Sequence, residues 1–158
     1  MTAAVARLRA APPRSWLFVP ALKAREWLPK AIAAGADAVI LDLEDATAPS
    51  EKERAREVVR GLALEKRERP FIAVRVNGSP PAVEDDCAAA VASGADAVIL
   101  PKVEGTYQVR RACALLEGSD LAVLPMIETA RAVLVALDLA EADERVGSLM
   151  FGGGDLAA

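Results

Sequence analysis

Histidine does not occur among the 158 residues of this chain. Its absence removes Ser-His-Asp and Cys-His triads, imidazole-ligated zinc and histidine-ligated haem. Acid–base work is left to carboxylates, Lys, Arg, Tyr, thiols or water. Cysteine is nearly as scarce: Cys87 and Cys113 stand far apart, each within a helical pattern. They read as reduced, packed residues, which implies a cytoplasmic setting. Positive charge is not in excess either. The formal net charge is −4 and no long basic run occurs, so nothing suggests a nucleic-acid surface. No apolar run reaches the roughly 18 residues of a membrane span. The dinucleotide fingerprint G-x-G-x-x-G is missing after the first apolar run, where Pro20-Ala21-Leu22-Lys23-Ala24 follows instead. That takes weight from a cofactor-binding open sheet.

What is present is a repeated unit. Residues 31–46 read AIAAGADAVILDLEDA and residues 90–104 read AVASGADAVILPKVE. Each is an Ala-rich helix end closed by glycine (Gly35, Gly94), a turn, and a run apolar at every position. Glycine just past a helix takes the left-handed conformation cheaply. A run without alternation suits a strand covered on both faces, as in a parallel sheet. Strands are expected at 15–19, 38–43, 71–76, 97–101, 121–126 and 148–151. Helices are expected at 24–34, 51–64, 82–93, 106–117 and 129–141. Ser50 and Glu53 form a capping box for the second helix, and Trp27 and Ile32 are placed on the inner face of the first. The strands recur every 23 to 33 residues, the cadence of βα units. Six such units make an open doubly wound sheet or most of a (β/α)8 TIM barrel, and a barrel needs roughly 200–250 residues. Residues 1–13 are expected to be a disordered N-terminal tail and 14–158 a partial barrel that borrows its closure or is a fragment.

Charge gathers where these strands end: Asp42, Glu44 and Asp45, then Arg75 and Asn77, Lys102 and Glu104, Glu128, and Asp155. In a β/α protein those ends share one mouth. Carboxylates from neighbouring strands suit a hard divalent cation such as Mg²⁺, with Arg75 clamping a carboxylate or stabilising an enolate. The Gly152–Gly154 run lets backbone approach a ligand. Acids after strands also serve as helix caps, and Arg75 as half of a buried ion pair. Spacing alone supports a polar, metal-compatible mouth.

Six strings in order, from Arg14-Ser15-Trp16-Leu17-Phe18-Val19-Pro20 through Leu41-Asp42-Leu43-Glu44-Asp45-Ala46, Val74-Arg75-Val76-Asn77, Leu100-Pro101-Lys102-Val103-Glu104 and Ile127-Glu128-Thr129-Ala130 to Phe151-Gly152 and Asp155-Leu156, resemble the HpcH/HpaI aldolase/citrate lyase family, in particular its CitE-like branch. The resemblance implies an incomplete α/β TIM barrel, of which this chain supplies about six βα units, binding Mg²⁺ and assembling as a homo-oligomer, a trimer or hexamer. It implies a carbon–carbon lyase acting on a citryl-, malyl- or citramalyl-CoA thioester. Metal would be held by Glu128 and Asp155, and substrate would be touched by Arg75, Glu128 and Lys102. Glu44 and Asp45 would lie near the metal's waters. Phe18, Pro20 and Lys23 or Arg25 would meet the CoA. Two departures stand out: Ala21-Leu22 where the family has Gly-Asn or Gly-Ser, and no counterpart of its last two strands and C-terminal segment. Two alternatives stand beside the lyase: an aldolase of the same family acting on free 2-oxo acids, whose members tend to use a histidine that is absent here, and, favoured by the missing C-terminal segment, a catalytically incomplete remnant that binds metal or ligand within an assembly.

Overall fold

The computed structural model describes residues 1–65 and 69–158. Six strands form one parallel sheet in chain order: β1 (Trp16–Pro20), β2 (Ala38–Asp42), β3 (Phe71–Arg75), β4 (Ala97–Leu100), β5 (Ala122–Ile127) and β6 (Met150–Phe151). The sheet curls into part of an α/β barrel. Helices α1 (Ala3–Ala10), α2 (Ala24–Ala33), α3 (Lys52–Arg60), α4 (Ala82–Ser93), α5 (Thr106–Leu115), α6 (Ala130–Leu134), α7 (Ala136–Ala140) and α8 (Gly153–Leu156) complete it. Among the described residues no helix is long and apolar enough to cross a membrane.

Every residue of β2, β3, β4 and β5 is buried, as the unbroken apolar runs require. Alternation divides them between two cores. Val39, Leu41, Val74, Val98, Leu100 and Val123 face the helical layer, where Leu28, Val59, Val83 and Leu116 meet them. Ile40, Ala73, Ile99, Ala122 and Leu124 face the concave side. Cys87 and Cys113 pack in the first core, where burial pushes both thiols up to about 12. Both are therefore inert thiols at neutral pH.

Residues 3–10 depart from the disordered tail that the composition predicts. Thr2 caps α1 by accepting from the Val5 amide at 3.3 Å. Ala4, Val5 and Leu8 enter the concave core. The Arg7 guanidinium pairs with Asp96 at 2.7 Å and lies over the Phe71 ring. Phe71, Asp96 and Ala122 belong to the starts of strands, so α1 closes the end of the half-barrel away from the charged mouth. Hydrophobic burial against an otherwise open concavity outweighs the weak intrinsic stability of so short a helix.

Other differences are local. Ser50 makes no cap: Pro49–Glu51 is a 3-10 turn, α3 starts at Lys52, and Gly61 stops it. Residues 66–68, beyond the predicted end of that helix, lie outside the described residues. Trp27 and Ile32 face outward, because Ala24, Leu28 and Ala31 form the inner stripe of α2. The last predicted helix divides at Val135 into α6 and α7. Gly35 and Gly94 do adopt left-handed φ of 78° and 75°.

Candidate functional site

The register of β2 against β3 sets Asp42 directly beside Arg75. From there the two side chains lock. Arg75 donates from Nε to Asp42 Oδ1 at 2.8 Å and from Nη2 to Oδ2 at 2.7 Å. The same carboxylate accepts the Glu44 and Ala46 amides at 2.9 and 3.0 Å, which folds the loop after β2 back over the strand end. Burial pushes the Asp42 carboxyl upward, yet the Arg75 contacts and the two amides outweigh it and hold it below the usual range. Lys52 secures the loop from α3, donating to the Leu43 and Glu44 carbonyls at 2.6 Å each. Two of the three guanidinium nitrogens are thus spent on Asp42. The third, Nη1, faces the mouth, 3.0 Å from Glu44 Oε2 and 3.5 Å from Asp45 Oδ2. The Phe18 ring lies under the guanidinium, 5.0 Å from centroid to Cζ.

The second half of the mouth is built on β4 and β5. Lys102 follows β4 with φ of 50°, a left-handed value seldom adopted by a residue with a side chain. That turn aims both its amide and its stem at the mouth. The amide donates to Glu128 Oε1 at 2.6 Å. Lys102 Nζ lies 3.0 Å from Glu44 Oε1, 3.9 Å from Asp45 Oδ1 and 4.0 Å from Asp155 Oδ2. Glu128 is buried, which raises its pKa; the Lys102 amide opposes this, and the negative charges of Glu44 and Asp155 add to it. Gly152 follows β6 and supplies the room beside it: a Cβ there would fall 2.6 Å from Glu128 Oε2.

The structure therefore brings Glu44, Asp45, Arg75, Lys102, Glu128, Asp155 and Phe18 to one place. Pro20 ends β1 at the same edge, and Lys23 stands exposed in the 3-10 turn beyond it. Arg25 is not at the mouth; its guanidinium lies back along α3 against Gly61. Asn77 is turned inward, donating from Nδ2 to Leu43 O and Asp86 Oδ2. Asp42 and Gly152 matter here more than the sequence reading allowed. Asp42 stood in the sequence as one of several acids at a strand end, and only the register of β2 against β3 singles it out. For Gly152 the glycine run was the signal, but its value lies in what a side chain would strike, Glu128, rather than in a ligand.

A cavity of about 360 Å³ opens from the mouth, lined by Glu44, Asn77, Gly78, Pro101, Lys102 and Gln108. A larger one, about 580 Å³, lies at the opposite end of the strands beside α1 and shares none of these residues. The mouth's donors are all hard carboxylate oxygens. Among the described residues no three carboxylates or thiols close into a cage. The set fits a cation that takes one or two carboxylates and keeps open positions, as Mg²⁺ does.

Comparison with known proteins gives a consistent family and fold. The model of the HpcH/HpaI aldolase/citrate lyase family matches residues 14–158. A (3S)-malyl-CoA thioesterase of Cereibacter sphaeroides is 40% identical over 152 residues, covering 94% of this chain and 52% of its own. The citrate lyase beta subunit of M. tuberculosis complexed with oxaloacetate and magnesium superposes with a TM-score of 0.77 at 37% identity, over 95% of this chain and 62% of that one. CitE from the same organism in complex with magnesium, acetoacetate and coenzyme A gives 0.76 at 37% identity, over 94% of this chain and 51% of that one. The chain spans about half the length of the curated relatives it matches.

Proposed function

This chain belongs to the HpcH/HpaI aldolase/citrate lyase family, and from that premise we propose that it serves a Mg²⁺-dependent carbon–carbon lyase reaction on a 3-hydroxyacyl-CoA thioester. The observation that carries the reading is the meeting of Glu128 and Asp155 around Lys102, with Arg75 Nη1 turned to the same opening. Support for the ligands comes from the relatives solved with magnesium and with coenzyme A. In the proposed assembly Glu128 and Asp155 hold the cation. When bound it supplies Lewis-acid polarisation of substrate oxygens and lowers the cost of an alkoxide.

The chain's own residues do the rest. The Glu44–Asp45 pair accepts the proton of the 3-hydroxyl. The bond between C2 and C3 then breaks, C3 becomes the carbonyl of a 2-oxo acid, and the electron pair moves to the thioester as an enolate. Arg75 Nη1 stabilises the enolate oxygen, and the proton taken up by the Glu44–Asp45 pair is returned, directly or through water, to the enolate carbon to leave an acyl-CoA. Phe18, Pro20 and Lys23 line the approach for the CoA, without Arg25, which lies against Gly61, and Lys102 contacts an anionic group of the substrate. A homo-oligomer in the cytoplasm completes the proposal.

A thioesterase reading has its own support in the malyl-CoA thioesterase relative. Products separate the two. The 158-residue protein with Mg²⁺ and malyl-, citramalyl- or citryl-CoA is expected to release a 2-oxo acid, trapped as its hydrazone, with loss of turnover on chelation. Release of free CoA thiol with the hydroxy acid intact would move the assignment to hydrolysis. Turnover of free 2-oxo acid aldols alone would favour an aldolase, and binding without turnover a remnant.

Gly152→Ala offers a further check. It should push the Glu128 carboxylate aside and weaken Mg²⁺ binding by about 10–100-fold, the usual cost of disturbing a ligand's support. Calorimetric titration reads this directly, and unchanged affinity would remove Gly152 from the argument.

A further inference from the structure

Among the described residues, Lys102 is the one that touches every part of the acidic mouth. Its ammonium is within 4.0 Å of carboxylate oxygens from three residues, Glu44, Asp45 and Asp155, while its amide holds Glu128. These groups come from the loop after β2, the end of β5 and the turn after β6, and they converge on one side chain. Glu44 and Glu128 are buried, so their charges are not relieved by bulk water. Arg75 Nη1 answers part of the charge of the Glu44–Asp45 pair, but its nearest partners do not include Asp155. Lys102 Nζ therefore occupies the centre of negative potential, where an added cation would be drawn.

We propose that the Lys102 ammonium is a built-in counter-ion that competes with the divalent cation, and that metal loading displaces Nζ from the carboxylates into the adjoining cavity. The inference rests on the metal-dependent reading given above. Two features make the exchange workable. The ammonium is half-exposed and sits on a flexible stem, so it can leave without disturbing the core. The amide contact to Glu128 belongs to the backbone and stays behind, so the ligand remains in position when the ammonium departs. The cavity that would receive Nζ is bordered by Glu44 and extends away from Asp45 and Asp155 along Asn77, Gly78, Pro101 and Gln108. In that position the ammonium meets an anionic substrate only after the metal has entered, which orders the two binding events.

Competition predicts a sign opposite to that of a supporting residue. Calorimetric titration of the 158-residue protein with Mg²⁺ should give Lys102→Met an affinity about tenfold above the parent, since a unit charge roughly 4 Å away has been removed. Lys102→Arg, which keeps the charge, should bind as the parent does. Without metal, Lys102→Met should melt lower than the parent, and the gap should close as Mg²⁺ is added. Mass-spectrometric footprinting gives an independent readout: acylation of Lys102 by an amine-reactive ester should rise on adding Mg²⁺. Equal or weaker Mg²⁺ binding by a folded Lys102→Met, with the parent binding normally, would overturn the competition and leave the metal-dependent reading intact. Binding by neither protein would overturn both.

Discussion

Arg75→Lys is expected to lower kcat/KM on the preferred thioester by about 10²–10³-fold, the range typical of losing one charge-stabilising donor. The number follows from how the guanidinium is divided. Nε and Nη2 are committed to Asp42, and only Nη1 reaches the mouth. A lysine ammonium is a compact point charge and cannot make the two-point contact and face the opening together. Asp42 is buried and also holds the loop after β2 through the Glu44 and Ala46 amides. The replacement ammonium will therefore be captured by Asp42, and the mouth will lose the donor that Nη1 supplies, leaving only the Lys102 ammonium there. Steady-state kinetics with Mg²⁺ saturating measures the effect, and a melting curve close to the parent's separates it from misfolding. Retention of most activity would mean that Nη1 does not meet the developing charge.

The second large effect concerns stability. Asp86 on α4 has no exposed surface, and it accepts from Arg56 Nε at 2.6 Å and from the Asn77 amide and Nδ2 at 2.7 Å each. One carboxylate thus joins α3, α4 and the exit of β3. Asp86→Ala would leave Arg56 Nε and the Asn77 amide without their acceptor, with the buried guanidinium kept only by the exposed Glu53 and Asn77 Nδ2 only by the Leu43 carbonyl. A cost of about 3–5 kcal/mol is expected, as for other buried pairs deprived of one partner. For a chain of this size that is a fall in Tm on the order of 10 °C. Denaturant titration checks it. Adding Arg56→Met should recover part of the loss, because the stranded charge goes too. A loss under about 1 kcal/mol would mean that solvent enters the triad.

How far the sequence reveals this molecule depends on whether the controlling force is local. The buried parallel strands were legible because Ala-Val-Ile-Leu runs without alternation have few other uses, and Gly94 because a helix must end somewhere. The gathering of Glu44, Arg75, Lys102, Glu128 and Asp155 was legible from their place after strands. The helix at Ala3–Ala10 was not, since its reason is an apolar hollow made by residues far along the chain. The outward turn of Trp27 escaped for a similar reason: three smaller residues, Ala24, Leu28 and Ala31, fit the surface beneath α2. The pairing of Asp42 with Arg75 depends on strand register, which no short string displays. Asp86 looked like any acid in the first turns of a helix, and only the arrival of Arg56 from α3 reveals its load.

Glu128 owes its location to two pieces of main chain: the Lys102 amide that grips one oxygen and the bare Cα of Gly152 that admits the other. Neither depends on the chemical identity of a neighbouring side chain. The rim of the opening can therefore be rewritten, residue by residue, to favour a longer, shorter or more acidic acyl group while the reactive centre stays where it is. Directed diversification at Ser79 and Ala82, which line the same cavity, would retune selectivity with the least risk, because Asn77 is tied to Asp86 and Gln108 caps α5.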